Sequence, residues 1–174
     1  MSFLVISSSL NKGSRSAILG KECFKLLEAQ NQKVQWLDLR EVTLPHCDGD
    51  TCYADANVAK VTKMINEASC IIVAVAIYNF DVGSSAKNLL ELTGKAWSDK
   101  IVGFICAAGG KSSYMSVMGI ANSLMLDFRS LIIPRYVYAD GSAFQGDQIA
   151  DDGITKRIDE LVATAIRLNK AHHS

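Results

Sequence analysis

The segment Ser7-Ser8-Ser9-Leu10-Asn11-Lys12-Gly13-Ser14-Arg15-Ser16 follows a short apolar run and leads into a stretch of helical period. Such a loop ends in the free backbone N–H groups of a helix N-terminus, where the positive end of the dipole favours an anion. Ser9, Asn11, Ser14 and Ser16 add neutral donors, and Lys12 and Arg15 add charge nearby. Hydrogen bonds to a charged group contribute about 1.5–3 kcal/mol each, so three or four of them hold a phosphate firmly. The bland alternative is a capped turn with solvated hydroxyls; the density of donors weighs against it. A second segment, Ile77-Tyr78-Asn79-Phe80-Asp81-Val82-Gly83-Ser84-Ser85, is similarly rich in hydroxyl, amide and glycine.

Other chemistries are less well served. The dinucleotide fingerprint GxGxxG is absent after the first apolar run, and Gly110-Lys111-Ser112 only imitates the end of a Walker A loop. Five positions before Gly110 stands Ile105, where a phosphate cradle needs glycine. The histidines are His46, His172 and His173, the last two in a tail expected to fray, and no GxSxG occurs, so a Ser-His pair is disfavoured. His46, Cys47 and Cys52 amid Asp48, Asp50 and Asp55 offer too few ligands at too loose a spacing for zinc. A redox-active Cys47/Cys52 pair fits better than a metal site, and a plain surface loop better still.

The elements that must position these loops follow from periodicity. Phe3 to Ser8, Val34 to Leu39, Cys70 to Ala76, Ile101 to Ala107 and Leu131 to Tyr138 read as strands. Cys70 to Ala76 is apolar throughout, as expected of a central strand buried on both faces, whereas Val34 to Leu39 alternates and reads as an edge. Pro134 breaks the pairing of the fifth strand. Between the strands, apolar residues recur at helical spacing over about Ser16 to Gln30, around Val58 to Ala68, from near Ser85 to Gly94, over Ser113 to Phe128, and around Ile154 to Ala165. Gly94 is a candidate left-handed cap. The helix over Ser113 to Phe128 is apolar nearly all round, more than one sheet face needs, and its surplus predicts cover by a partner subunit. Five strands alternating with five helices predict an open α/β three-layer sandwich around a five-stranded parallel sheet, formed by residues 1–174 as a single domain; the order expected for it is the flavodoxin-type 2-1-3-4-5. In that order the ligand crevice lies at the carboxyl ends of strands one and three, where the two polar loops emerge.

Composition agrees with such a domain. The chain has 174 residues, 49% of them hydrophobic, with 18 basic against 18 acidic side chains. A chain of this length buries roughly 70% of its unfolded surface and needs no staple. Zero net charge removes the electrostatic signature of a nucleic-acid binder and any general attraction to membranes. Met1 to Ile6 turns polar at Ser7, too short for a leader, and no apolar run approaches a membrane span. Five cysteines without CxxC spacing, Cys70 and Cys106 in apolar runs, read as reduced thiols, which predicts a cytoplasmic protein.

Ser9-Leu10-Asn11-Lys12-Gly13-Ser14, and Tyr78-Asn79 with Lys87-Asn88 eight residues on, resemble the NADPH-dependent FMN reductase family of flavodoxin-like proteins. The likeness covers nearly the whole chain, with Ala108-Gly109-Gly110-Lys111 at the family's third loop. It implies FMN as cofactor and NADPH or NADH as co-substrate. By the same resemblance Ser9, Asn11, Ser14, Arg15 and Ser16 hold the FMN phosphate, Ile77, Tyr78 and Asn79 border the isoalloxazine, and Gly109, Gly110 and Lys111 flank it. Asn11 stands where relatives usually carry Arg, so the phosphate's charge partner falls to Lys12 or Arg15, and Ala76-Ile77 stands where Pro-Glu is usual, which leaves that loop less rigid and less polar.

With a flavin present no catalytic side chain and no metal are required, because the cofactor carries the electronics. A nicotinamide would deliver hydride to flavin N5 and leave, and a flavin, quinone or similar small acceptor would then take its place. Tyr78 either shapes that stacking surface or packs against a neighbouring subunit. The resemblance implies a homodimer or homotetramer. Lys87 reads as a solvated helix charge or an interface ion pair. Two competing readings stand beside the enzyme: a flavodoxin-like electron carrier, disfavoured by the lack of net acidity, and a degenerate member acting through protein contacts. Bound colour and NADPH oxidation separate the three.

Overall fold

A computed structural model describes residues 2–172, so Met1, His173 and Ser174 lie outside the described residues. The chain runs β1 (Phe3–Ser7), α1 (Arg15–Ala29), β2 (Val34–Asp38), α2 (Ala56–Glu67), β3 (Cys70–Tyr78), β4 (Asp81–Val82), α3 (Ser84–Thr93), β5 (Ile101–Ala107), α4 (Met118–Phe128), β6 (Leu131–Ile132), β7 (Val137–Ala139), β8 (Phe144–Gln145), β9 (Gln148–Ile149) and α5 (Asp152–His172). The main sheet has the order β2-β1-β3-β5, with β6 and then β7 pairing in turn along the outer edge of β5, all parallel. This is the expected 2-1-3-4-5 order, and the fifth strand is split into β6 and β7 around Pro134. β2 is an edge, as its alternation predicted, and β3 is central.

The pleat divides the core. Leu4 and Ile6 of β1 and Ile71, Val73, Val75 and Ile77 of β3 pack with residues of α2, α3 and α4. Phe3 and Val5, with Cys70, Ile72 and Ala74, pack with Leu19, Cys23 and Leu27 of α1 and Ile158, Leu161 and Val162 of α5. That period of two makes a three-layer sandwich from strands that are apolar on both faces. Among the described residues no helix is long and apolar enough to cross a membrane.

Three expectations are corrected. Short antiparallel pairs, β3 with β4 and β8 with β9, join the alternating pattern. Gly94 does sit at a positive φ of 35°, but with ψ −111° it is not a left-handed helical cap. The helix expected from Ser113 begins only at Met118; Lys111–Val117 is a 3-10 segment with Ser113 off helical geometry at φ −92°, ψ 23°. The reason is tertiary. The Tyr136 hydroxyl donates to the Tyr114 carbonyl, the acceptor an α-helix would need for the amide of residue 118. The surplus apolar face is there: Met115, Met118, Met125 and Leu126 are exposed, Leu126 at 85%.

Beyond β2 the chain is tied back across the first loop. Arg40 Nε donates to Asp38 Oδ1 at 2.9 Å, and Arg40 Nη1 donates to the Lys12 carbonyl at 3.0 Å. Burial alone would raise the Asp38 carboxyl, but the hydrogen bonds from Arg40 and its charge outweigh it and hold Asp38 below its ordinary value.

Two predictions follow from this packing. A Cβ on Gly103 of β5 would lie 2.8 Å from Ile72 Cδ1 and 3.2 Å from both Ile133 Cδ1 and Leu161 Cδ1, so Gly103→Val overpacks the α5 face and costs about 1–3 kcal/mol; an unchanged denaturation midpoint would contradict this. Asp38 has a lowered native pKa, so its contribution is complete above about pH 4 and is lost as pH falls through the lowered value. Asp38→Asn therefore flattens the acid-side fall in melting temperature between about pH 5 and about pH 2 relative to wild type, and parallel curves would exclude the pair as its source.

Candidate functional site

Strand order reverses at β1. The loop leaving it lies between two connections that depart on opposite faces, so its polar groups find partners on the neighbouring strand β3 and on side chains. The Ser8 amide donates to the Ala74 carbonyl and the Ser8 hydroxyl to the same carbonyl, both at 3.0 Å. The Ser85 hydroxyl, from the first turn of α3, donates to the Ser8 carbonyl at 2.5 Å. These bonds stitch the first loop to β3 and α3 and close a cleft of about 140 Å³ lined by Ser9, Asn11, Ala76, Tyr78, Gly83 and Ser84, among others.

The first loop is shaped by its own side chains. Asn11 Oδ1 accepts from the Gly13 amide at 2.9 Å, a turn that needs a short amide side chain. Ser14 is the N-cap of α1: its Oγ accepts from the Ala17 amide at 3.1 Å and lies 3.0 Å from Ser16 Oγ. Ser9, Ser14 and Ser16 are buried, while Asn11, Lys12 and Gly13 are exposed. Capping consumes one lone pair of Ser14, and the earliest amides of α1 have no intrahelical acceptor, so the helix start keeps the capacity to bind an anion. Arg15 is exposed, with its guanidinium 5.3 Å from the Phe144 ring centroid.

The second loop is a two-residue hairpin. Ile77 pairs with Val82 and Tyr78 with Asp81, leaving Asn79 at φ 51° and Phe80 at φ 62° between them. Positive φ at both central positions is the backbone of a type I′ turn; Asn accepts it readily, and Phe is uncommon there. The turn throws Phe80 and Tyr78 outward, and the Tyr78 ring lies against Gly83, where a Cβ would sit 3.4 Å from two ring carbons. Ile77 goes the other way: its side chain is buried in the core with Val82, Ala86 and Leu89.

The third loop reaches the same mouth. A Cβ on Gly141 would lie 2.9 Å from Arg15 Nη1 and 4.0 Å from the Gly109 carbonyl, so the start of α1 and the glycine loop adjoin. A Cβ on Gly109 or Gly110 would meet nothing within 4 Å, leaving the backbone there open to close approach. Tyr138 pins this loop by donating to the Gly110 carbonyl at 2.5 Å, with Tyr114 stacked on Tyr136 and edge-on to Tyr138. Lys111 is exposed, and its charge adds to the Ser142 hydrogen bonds that hold Asp140 below its ordinary value.

All three expected loops are therefore brought together, with the Ile77 side chain turned away. Residues that the sequence reasoning missed are those acting on backbone: Arg40 on the Lys12 carbonyl, Ser85 on the Ser8 carbonyl and Tyr138 on the Gly110 carbonyl. Their partners lie between 28 and 77 positions away, and no local pattern announces them. Lys87 forms a surface ion pair with Glu91 at 2.7 Å. Asn88 clamps the loop after β2, accepting from the Cys47 amide and donating to the Pro45 carbonyl, both at 2.9 Å. That loop and α3 wall a larger groove of about 920 Å³, which shares Leu10, Ser84 and Ser85 with the cleft. Among the described residues, no three His, Cys, Asp or Glu side chains converge on a metal site.

The chain is 25% identical over 177 residues to an NAD(P)H-dependent FAD/FMN reductase of Geobacillus thermodenitrificans (strain NG80-2), covering 97% of this chain and 94% of that protein. Among solved structures it is similar to FerB, a flavoenzyme NAD(P)H:(acceptor) oxidoreductase from Paracoccus denitrificans, with a TM-score of 0.80 at 20% identity over 98% of each chain. It is also similar to an NADH:FMN oxidoreductase in its apo form, with a TM-score of 0.73 at 16% identity over 94% of this chain and 89% of that one. Those two likenesses establish the shared fold. Residues 1–145 match the family described as NADPH-dependent FMN reductase, and since that span takes in all three loops of the site, the chain belongs to this family.

Proposed function

We propose that this chain is a single flavodoxin-like FMN-binding domain over residues 1–174, acting as an NAD(P)H-dependent oxidoreductase that passes hydride from NADPH or NADH to a flavin, quinone or similar small acceptor. The observation that carries the reading is the set of buried serine hydroxyls, Ser8, Ser9, Ser14 and Ser16, gathered where α1 begins and strand order reverses. Each of these hydroxyls has a partner within the chain, yet one hydroxyl proton of the Ser14/Ser16 pair and the first amides of α1 remain to donate to an anion. The open backbone at Gly109 and Gly110 fits a flat ring in the same way.

In this reading Ser9, Asn11, Ser14 and Ser16 and the first amides of α1 would hold the FMN phosphate, with Arg15 and Lys12 supplying positive charge. Tyr78 and Asn79, with the backbone of Ile77, would border the isoalloxazine from one side, and Gly109, Gly110 and Lys111 from the other. When bound, the flavin supplies the two-electron chemistry at N5. The chain would supply position and electrostatics: the backbone N–H groups of the Gly109 to Lys111 loop would hold the ring and offset negative charge on it, and Tyr78 and Phe80, both exposed beside the cleft, would offer a stacking surface to nicotinamide and acceptor. No protein side chain takes or gives a proton in this scheme. The exposed Met115, Met118, Met125 and Leu126 support assembly as a homodimer or homotetramer, and the five free cysteines fit a cytoplasmic setting.

Purified protein reconstituted with FMN is expected to show flavin absorbance and to oxidise NADPH or NADH when a quinone is added. Bound flavin without nicotinamide oxidation would make the chain an electron carrier, and no bound flavin would leave a member acting through protein contacts. Ser14→Asp is a sharper probe. Aspartate caps a helix as well as serine does, so the fold should keep its melting temperature, while the added charge weakens FMN binding by roughly tenfold or more, or at least about 1.4 kcal/mol; unchanged affinity would remove α1 from the phosphate site. Light scattering at micromolar protein should return at least a dimer mass, and a monomer would contradict the assembly.

A further inference from the structure

Five thiols are present and they fall into two chemically distinct groups. Cys23, Cys70 and Cys106 are fully buried in the sheet core, and burial pushes the Cys23 thiol up to about 12 and the other two higher still. Those three are inert packing groups. Cys47 and Cys52 lie outside that core, in the segment between β2 and α2. Cys52 is buried beside Val58 and Leu92, whereas Cys47 is half-exposed and lines the groove of about 920 Å³. The Cys52 thiol points at Cys47, with the two Sγ atoms 4.0 Å apart, and Cys47 Sγ also lies 3.6 Å from the Tyr53 hydroxyl.

The backbone on both sides of the pair is held. Asn88 Oδ1 takes the Cys47 amide, and Asp48 accepts from the Cys52 amide at 3.0 Å, from the Asp50 amide at 2.9 Å and from the Thr51 hydroxyl. Gly49, at φ 76°, makes the reversal that returns Cys52 to Cys47. A disulfide needs its sulfurs about 2.05 Å apart, so closure asks for about 2 Å of movement, within reach of side-chain rotation.

We propose that Cys47 and Cys52 are a reversible thiol–disulfide site on the wall of the groove, with a hydroperoxide as the oxidant. Cys47, the more exposed partner, attacks the peroxide: an S–O bond forms, the O–O bond breaks, and the leaving oxygen takes up the thiol proton and departs as water from hydrogen peroxide or as an alcohol from an organic hydroperoxide. Cys52 then attacks Cys47 Sγ: the S–S bond forms, the S–O bond breaks, and water carries away the Cys52 proton. Two electrons pass from the thiols to the peroxide, and a dithiol reductant reverses the change. Burial, reinforced by the hydrogen bond with the Asp48 side chain, raises the Cys52 thiol above its ordinary value, which suits it to waiting protonated as the resolving partner.

The test is direct, because trypsin releases Glu41 to Lys60 as one peptide that holds these two cysteines and none of the others. Folded protein is treated with a modest excess of hydrogen peroxide, alkylated, digested and weighed. The expected peptide is about 2 Da lighter than its reduced form, carries no alkyl group, and regains both alkylation sites after dithiothreitol. Cys23, Cys70 and Cys106 stay reduced throughout. In Cys52→Ser, Cys47 should be trapped as a dimedone adduct, the mark of its sulfenic acid. The proposal is overturned if both thiols remain open to alkylation, if Cys47 goes on to the sulfinic acid while Cys52 stays a thiol, or if the bond that forms joins two chains on a non-reducing gel.

Discussion

The polar groups at the carboxyl end of β1 govern the site because the sheet cannot satisfy them there. The strands on either side, β2 and β3, are reached by connections over opposite faces, so a gap opens just where β1 ends. An unpaired buried backbone group costs about 1–3 kcal/mol. Ser8 answers by bonding twice to the Ala74 carbonyl, Ser85 covers the Ser8 carbonyl, and the Leu39 amide takes the Ser7 carbonyl at 3.0 Å. These bonds draw β3, the start of α3 and the end of β2 to the same point. The cleft is a by-product of closing that gap with polar side chains instead of more strand.

The remaining devices work at the edges of this point. Ser14 starts α1 with its hydroxyl already committed to the Ala17 amide, which fixes the direction in which the next free amides face. The Asn79-Phe80 turn accepts positive φ at both positions and so places Tyr78 on the outer surface against Gly83. A bulky residue held there costs about 1–2 kcal/mol relative to glycine. Strain of that kind is found where a surface must present particular groups. On the third side Tyr138 holds the Gly110 carbonyl, so the tyrosine cluster and the glycine loop act as one wall.

Much of this architecture could be read from local pattern. The apolar run at Cys70 to Ala76 pointed to a central strand and the alternation at Val34 to Leu39 to an edge, because burial on two faces or one leaves a direct mark on residue type. Pro134 marked the break between β6 and β7, since it has no amide to donate. The start of α4 was not readable in that way. Residues 113 to 117 have helical composition, yet Tyr136, from the break between β6 and β7, takes the carbonyl that would have continued the helix. Ile77 and Tyr78 illustrate the same limit at one residue's distance: both lie in an apolar-to-polar transition, and only the pleat decides that one enters the core while the other meets solvent.

What the amino-acid order determined alone, then, was most of what has a period: the main strands and helices, the α/β class implied by their alternation, and the two hydroxyl-rich loops that follow the first and third strands. These depend on neighbours within a few positions, where chain geometry is fixed by bond lengths and dihedrals. The tertiary structure decided which distant groups meet. Arg40 on Lys12, Ser85 on Ser8, Arg15 beside Gly141, and Cys52 on Cys47 across a turn are matches between single donors, acceptors and rings. Such matches leave no periodic trace, because a hydrogen bond or a contact asks only that two atoms arrive at the right separation, whatever the length of chain between them.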